Sequence, residues 1–232
     1  MVGDLIVDSR LKNRDEFKEL HKKFMSNKYF DDFPNSSDYF HHRVISEIRS
    51  RAYLDLFKDD YFLELVYATI ATWGLDRMDG SARLVEFNKF KDSIKSNKEL
   101  LNELSKERLE LLTKDELKII KNKLKILFGS LDVMKSRSKL VGVSKTLHHL
   151  LPDLVPPIDR QYTLSCFHIS DYNLSKKGEL NVFEELFEEF YNIAKDIQLT
   201  KEDCEGDRDA TSIPKLIDNI IITIGKSANY DS

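Results

Sequence analysis

The chain has 232 residues, of which 41% are hydrophobic and 33% charged, with a formal net charge of −4. That length allows one large domain or two small ones around a real core. The mildly acidic balance excludes a general polycation, so any nucleic-acid contact needs a local basic face. Only 8 Gly and 5 Pro leave little material for tight turns, which favours helices over sheet. Cys166 and Cys204 are the only cysteines, too few for a disulfide framework or a zinc site. Reduced thiols and a cytoplasmic location are expected. The first residues show no basic region followed by a long apolar one, so a signal peptide is not expected. No run approaches the roughly 20 apolar residues of a membrane span, and no membrane partner is expected.

In chain order, Val2 to Val7 is a short apolar arm or strand. Asn13 and Glu16 have capping-box spacing ahead of Phe17, Leu20 and Phe24, which predicts a helix over 14–26. Ser36 or Ser37 starts a longer helix with Phe40, Val44, Ile48, Ala52 and Leu56 on one face. Asp59 and Asp60 open another, closed by Gly74. The following loop, WGLDRMDGSAR, holds the only Trp, with Arg77 and Arg83 flanking a Gly-Ser pair. Ser81 caps a helix carrying Leu84, Val85, Phe87 and Ile94, and a Leu-rich helix covers 97–112. Thr113 with Glu116 is a capping box for a helix that Gly129 closes. Asn181 with Glu184 caps a helix through Phe190 and Ile197, and Ser212 with Pro214 begins the last one. The expected fold is all-α, about ten helices in one globular domain over 1–232, or two packed subdomains over 1–112 and 113–232.

Charge is uneven along the chain. Residues 114–145 carry nine basic side chains against three acidic ones, and residues 181–209 carry ten acidic against three basic. The basic run is either a solvated face or a DNA-binding one.

It leads into LVGVSKTLHHLLPDLVPPIDRQYT, residues 140 to 163, where Gly, Pro, His and a charged pair crowd together. Val141 to Ser144 reads as a short turn, followed by an apolar helix face of Leu147, Leu150 and Leu151. Pro152 ends that helix. Asp159 stands where another begins. Helix, Gly-containing turn, Lys, Pro, then Asp at a helix start: this order resembles the helix-hairpin-helix DNA glycosylase superfamily. The turn here is VGV, where that family carries GVG. The resemblance spans about a tenth of the chain.

It implies an all-helical enzyme that needs no metal or cofactor. It implies that Gly142 lies in a hairpin gripping a DNA phosphate, with Ser144 beside it. Lys145 would be the amine nucleophile and Asp159 the carboxylate stabilising positive charge at the sugar. Trp73 and Tyr162 are candidates for stacking a flipped base. Arg77, Arg83 and Arg160 are candidates for holding phosphate, and a loop ahead of a helix N-terminus suits anions.

Each residue also has a plainer reading. Asp159 is a natural N-cap. Lys145 suits a solvated first turn. His148 and His149 diverge by about 100° on a helix and cannot both face one metal. Arg160 suits an internal ion pair. The chain is therefore read as DNA-interacting, with or without N-glycosidic cleavage, or as a non-enzymatic helical interaction protein pinned by Leu140–Thr163. A third class acts on a small phosphate ester through Arg77, Arg83 and Arg160. The oligomeric state is not legible.

Overall fold

The computed structural model describes residues 5, 7–26, 35–75, 83–205, 207 and 210–230. Arg77 and Ser81 lie outside the described residues, as does most of the Val2–Val7 arm. Of that arm, Leu5 and Val7 pack partly buried against the core. The described residues form ten α-helices joined by short single turns, with one isolated bridge between Leu84 and Met134 and no strand. No described helix is long and apolar enough to cross a membrane.

Helix α1 (Arg14–Ser26) starts where the sequence predicts, with the Asn13 side chain accepting from the Asp15 and Glu16 amides at 3.0 and 3.2 Å. Helix α2 (Asn35–Ser50) stops short of its predicted length, because Ala52 turns extended (ψ 133°) and Leu56 is buried from a separate 3₁₀ turn. Helix α3 (Tyr61–Ile70) follows Asp60, whose carboxylate caps nothing and instead binds Lys91 and Lys95 at 2.7 and 2.8 Å. Those lysines belong to α4 (Phe87–Lys95). Leu84 and Val85, expected in that helix, are extended, and the Val85 amide donates to the Val133 carbonyl at 3.1 Å.

The predicted helix over 97–112 is broken. Helix α5 (Lys98–Leu104) covers its first half and a 3₁₀ turn, Leu109–Leu111, its end. Helix α6 (Lys114–Ser130) carries the Thr113–Glu116 capping box in full. Helix α7 (Leu140–Leu150) lies at the centre, buried from Gly142 to Leu150 and packed on α2, α3 and α9. Helices α8 (Asp171–Lys177) and α9 (Glu179–Asp196) are separated by Gly178, at φ +83°. Helix α9 therefore begins before the predicted Asn181 cap, whose side chain donates instead to the Lys177 carbonyl at 2.6 Å. Helix α10 (Ile213–Tyr230) closes the chain and packs on α1. One contiguous apolar cluster runs through the described residues, with Phe62, Phe90, Phe167, Phe183, Phe187 and Phe190 fully buried.

The turn predicted at Val141–Ser144 is helical and forms the first turn of α7. The connection from α6 spans 131–139 and is partly extended, so α6 and α7 are not joined by a tight hairpin. Gly142 serves packing: a Cβ there would lie 2.2 Å from Met134 Sδ and 2.5 Å from its Cγ. Gly142→Ala gains up to about 1 kcal/mol of helix propensity and loses about 1–3 kcal/mol to overpacking. The net expectation is a loss of about 1 kcal/mol in urea unfolding. In a Met134→Ala background, which removes the clashing side chain, Gly142→Ala should no longer destabilise.

Candidate functional site

Three segments meet at one end of α7. Helix α3 unwinds through a wide turn over Ala71–Leu75, where Trp73 leaves helical values (ψ 22°) and Gly74 takes φ +96°. The unwinding turns the Trp73 carbonyl away from the helix ladder. Helix α7 carries Lys145, which is 7% exposed. Its ammonium donates to the Trp73 carbonyl at 3.0 Å and to Asp159 Oδ2 at 3.3 Å. The buried crossing through Pro152, Pro156 and Pro157 brings Asp159 there. Ser144 ties that crossing to α7, because its hydroxyl accepts from the Ile158 amide at 3.1 Å.

Asp159 has two jobs at once. It is extended (φ −122°, ψ 142°) and caps the turn Arg160–Leu164, its Oδ1 accepting from the Gln161 and Tyr162 amides at 2.7 and 3.2 Å. Its Oδ2 is left for Lys145. The Asp159 side chain keeps 32% of its exposure, against 9% for that of Lys145, so solvent reaches the pair from the carboxylate side.

Two residues of α10 join the site that the sequence reading missed. Lys215 Nζ is 5.2 Å from the Trp73 ring centre, and Lys145 Nζ is 5.9 Å from it, both within cation–π range. Lys215 also binds Asp218 at 2.7 Å. Asp218 is buried, which raises its pKa. The Lys215 charge opposes that rise and the Asp159 charge adds to it. The available signal was a Lys and an Asp three apart amid the apolar stripe of α10, where charge is not expected unless paired.

Three histidines back the Trp73 side of the site. His149 Nδ1 donates to the Lys145 carbonyl at 2.8 Å, so its Nε2 is a lone pair that accepts from His41 Nδ1 at 3.2 Å. His41 Nε2 then accepts from the Thr211 hydroxyl at 3.0 Å. His148 Nδ1 donates to the Val155 carbonyl at 2.8 Å, and its buried Nε2 finds no hydrogen-bond partner among the described residues. His148 lies over Trp73 with ring centres 6.0 Å apart, and His149 meets its edge at 4.5 Å. Burial first, then charge repulsion within the cluster and from Lys215, holds His41 and His148 well below their ordinary pKa. Burial likewise brings His149 down to about 4. The cluster is therefore neutral at pH 7, and positive charge rests on the two lysines. Among the described residues no group of three or more His, Cys, Asp or Glu side chains is placed to hold a metal.

The other predicted residues are dispersed. Gly142 is buried under Met134, and the Ser144 hydroxyl is buried and internally bonded, so neither offers a phosphate a backbone to approach. The first amides of α7, at Lys139 and Leu140, are already bound by the Glu179 carboxylate at 2.5 and 3.1 Å. Arg160 is exposed and pairs with Asp171 at 2.9 Å and Ser138 at 3.0 Å. Arg83 is exposed, and its carbonyl accepts from the Lys135 amide at 2.8 Å. Tyr162 is half-buried against Gly225, where a Cβ would lie 2.9 Å from the ring. Both cysteines are free, and burial pushes each thiol up to about 12. No family model matches the chain, and no curated protein or solved structure matches it significantly.

Proposed function

We propose that the protein acts on DNA through the Lys145–Asp159 pair, in the manner of the helix-hairpin-helix glycosylases that residues 140–163 resemble. The observation that carries this reading is the contact itself. A lysine of one helix meets, at 3.3 Å, an aspartate that caps the next helical turn after a proline-stiffened crossing. The resemblance implies that both residues belong to one active site, and a lone helix cap does not require the lysine.

The chemistry follows from the two groups. The Lys145 amine attacks C1′ of a nucleotide held out of the stack. Its nitrogen forms the new bond, and the base departs with the electrons of the N-glycosidic bond. Asp159, the acceptor in reach of Nζ, takes the ammonium proton beforehand and gives it up to the departing base. The carboxylate so regenerated stabilises positive charge developing on the sugar. Trp73 supplies the aromatic surface beside the amine.

The alternative is a non-enzymatic interaction protein, and one observation favours it. Lys145 is nearly buried and already bonded to the Trp73 carbonyl, as a structural strut would be. Binding of short duplex DNA, plain or with an abasic-site analogue, separates the two. The enzyme reading expects salt-sensitive binding, tighter to the analogue and about 10-fold weaker in Lys145→Ala through the lost charge-assisted contact. No binding at low salt, with Lys145→Ala folded, supports the strut.

A further inference from the structure

The basic stretch over 114–145 divides in two. On α6 three of the five lysines are answered locally, Lys118 by Asp115 at 3.3 Å, Lys121 by Glu188 at 2.5 Å and Lys123 by Glu103 at 2.6 Å, and Lys114 and Lys125 stand exposed outside the groove. Beyond α6, the crossover over 131–139 runs beside Leu84 and Val85 and walls a groove of about 420 Å³.

Lys89, Lys135, Arg137 and Lys139 line this groove against Glu86 and Asp132. The two carboxylates are used by Lys89, at 2.7 Å from Asp132, and Lys135, at 2.8 Å from Glu86. Arg137 is exposed and makes no ion pair or hydrogen bond among the described residues. The Lys139 ammonium reaches only the Leu131 carbonyl, at 3.4 Å. Two cations therefore remain uncompensated on one wall. That wall is stiff, because the Val85–Val133 and Lys135–Arg83 backbone bonds brace it at 3.1 and 2.8 Å. The groove's wall leads toward the site: Lys139 precedes α7 directly, and Lys145 lies six positions further along that helix, a rise of about 9 Å. That is roughly the axial span of three nucleotides along one strand.

We propose that this groove carries the phosphodiester backbone of the DNA strand whose nucleotide is presented to Lys145 and Asp159. The inference rests on the reading of that pair as a DNA site. A guanidinium gives a phosphate two parallel hydrogen bonds, and Lys139 adds a point charge. The Ser136 and Ser138 hydroxyls on the same crossover already donate, to the Ser138 carbonyl and the Glu179 carboxylate, so Arg137 and Lys139 are the groups left for phosphate.

The test is fluorescence anisotropy of a labelled duplex containing a tetrahydrofuran abasic analogue, titrated at several salt concentrations. Wild type is compared with Arg137→Ala/Lys139→Ala and with a charge-matched control, Lys114→Ala/Lys125→Ala, which removes two exposed lysines of α6. Each phosphate contact contributes about 0.9 to the slope of log affinity against log salt. The groove variant should lose about 1.8 of that slope and bind more weakly, and the control should keep the wild-type slope. A groove variant with the wild-type slope overturns the proposal, and so does an equal loss in the control. Borohydride trapping on abasic DNA at saturating protein is run on the same three proteins. Trapping reads Lys145 and the slope reads the groove, so the two readings fail separately.

Discussion

Taking the protein from pH 6.5 to pH 4 should cost it on the order of 3 kcal/mol through His149 alone. His149 protonates near 6.5 in the unfolded chain and near 4 in the fold, because burial denies its charged form water. Its folded pKa is depressed, so its contribution is intact above 6.5. As pH falls through that window the unfolded chain takes up a proton that the fold refuses, and stability drops until about pH 4. The gap of about 2.5 units is worth about 1.4 kcal/mol per unit. His41 and His148, also held well below their ordinary value, act in the same direction. Asp218 acts oppositely. Its carboxyl is raised above 3.8, so the fold accepts that proton first and regains part of the loss at the acid end. Against a total stability of about 5–15 kcal/mol, the histidine effect is large. Urea midpoints measured from pH 7 to 4.5 should fall steeply below 6.5, and His149→Gln should flatten the curve. A wild-type profile level to pH 4.5 would contradict the buried, neutral cluster.

How much of this was legible in the sequence depends on how local each signal is. The Asn13 and Thr113 caps, the apolar faces of α1, α6 and α10, and the stop at Gly74 are fixed within one or two turns, and the structure has them. The failures have tertiary causes. Leu84 and Val85 carry a helical pattern yet pair with the crossover at Met134, and no local rule announces that partner. Gly142 suggests a turn through its freedom of φ, but it is helical and is small because Met134 presses on it. At the site, Asp159 as a helix cap was readable from the prolines before it. Its contact with Lys145 was not legible, because it needs the return of the chain across 14 positions. Lys215 and Asp218 lie 70 and 73 positions beyond Lys145, so only the fold brings them to Trp73. The divergence of His148 from His149 was readable, but the mutual contacts of the histidines required α2 against α7.

The other large effect is expected on covalent chemistry at Lys145. An amine that attacks C1′ of an abasic nucleotide first adds to the aldehyde carbon, then loses water to leave an imine. Borohydride delivers hydride to that imine and fixes the protein to the DNA as a secondary amine. Lys145→Gln has no amine and should lower the trapped fraction by a factor of about 10² or more. Asp159→Asn separates cap from charge. Asn caps nearly as well as Asp, so the turn is kept, and the loss in urea unfolding should be about 1–3 kcal/mol from the ammonium left without its carboxylate. Loss of the carboxylate facing Nζ should still lower the trapping rate by about 10². Were Asp159 only a cap, this variant would trap like wild type.

The most direct measurement is therefore borohydride trapping on a duplex with one abasic site, for wild type, Lys145→Gln and Asp159→Asn, with folding of each checked by urea unfolding. A covalent product in wild type that Lys145→Gln abolishes and Asp159→Asn slows is the predicted result. No product in wild type, or product undiminished in folded Lys145→Gln, would contradict the assignment of Lys145 and Asp159 as the reacting pair.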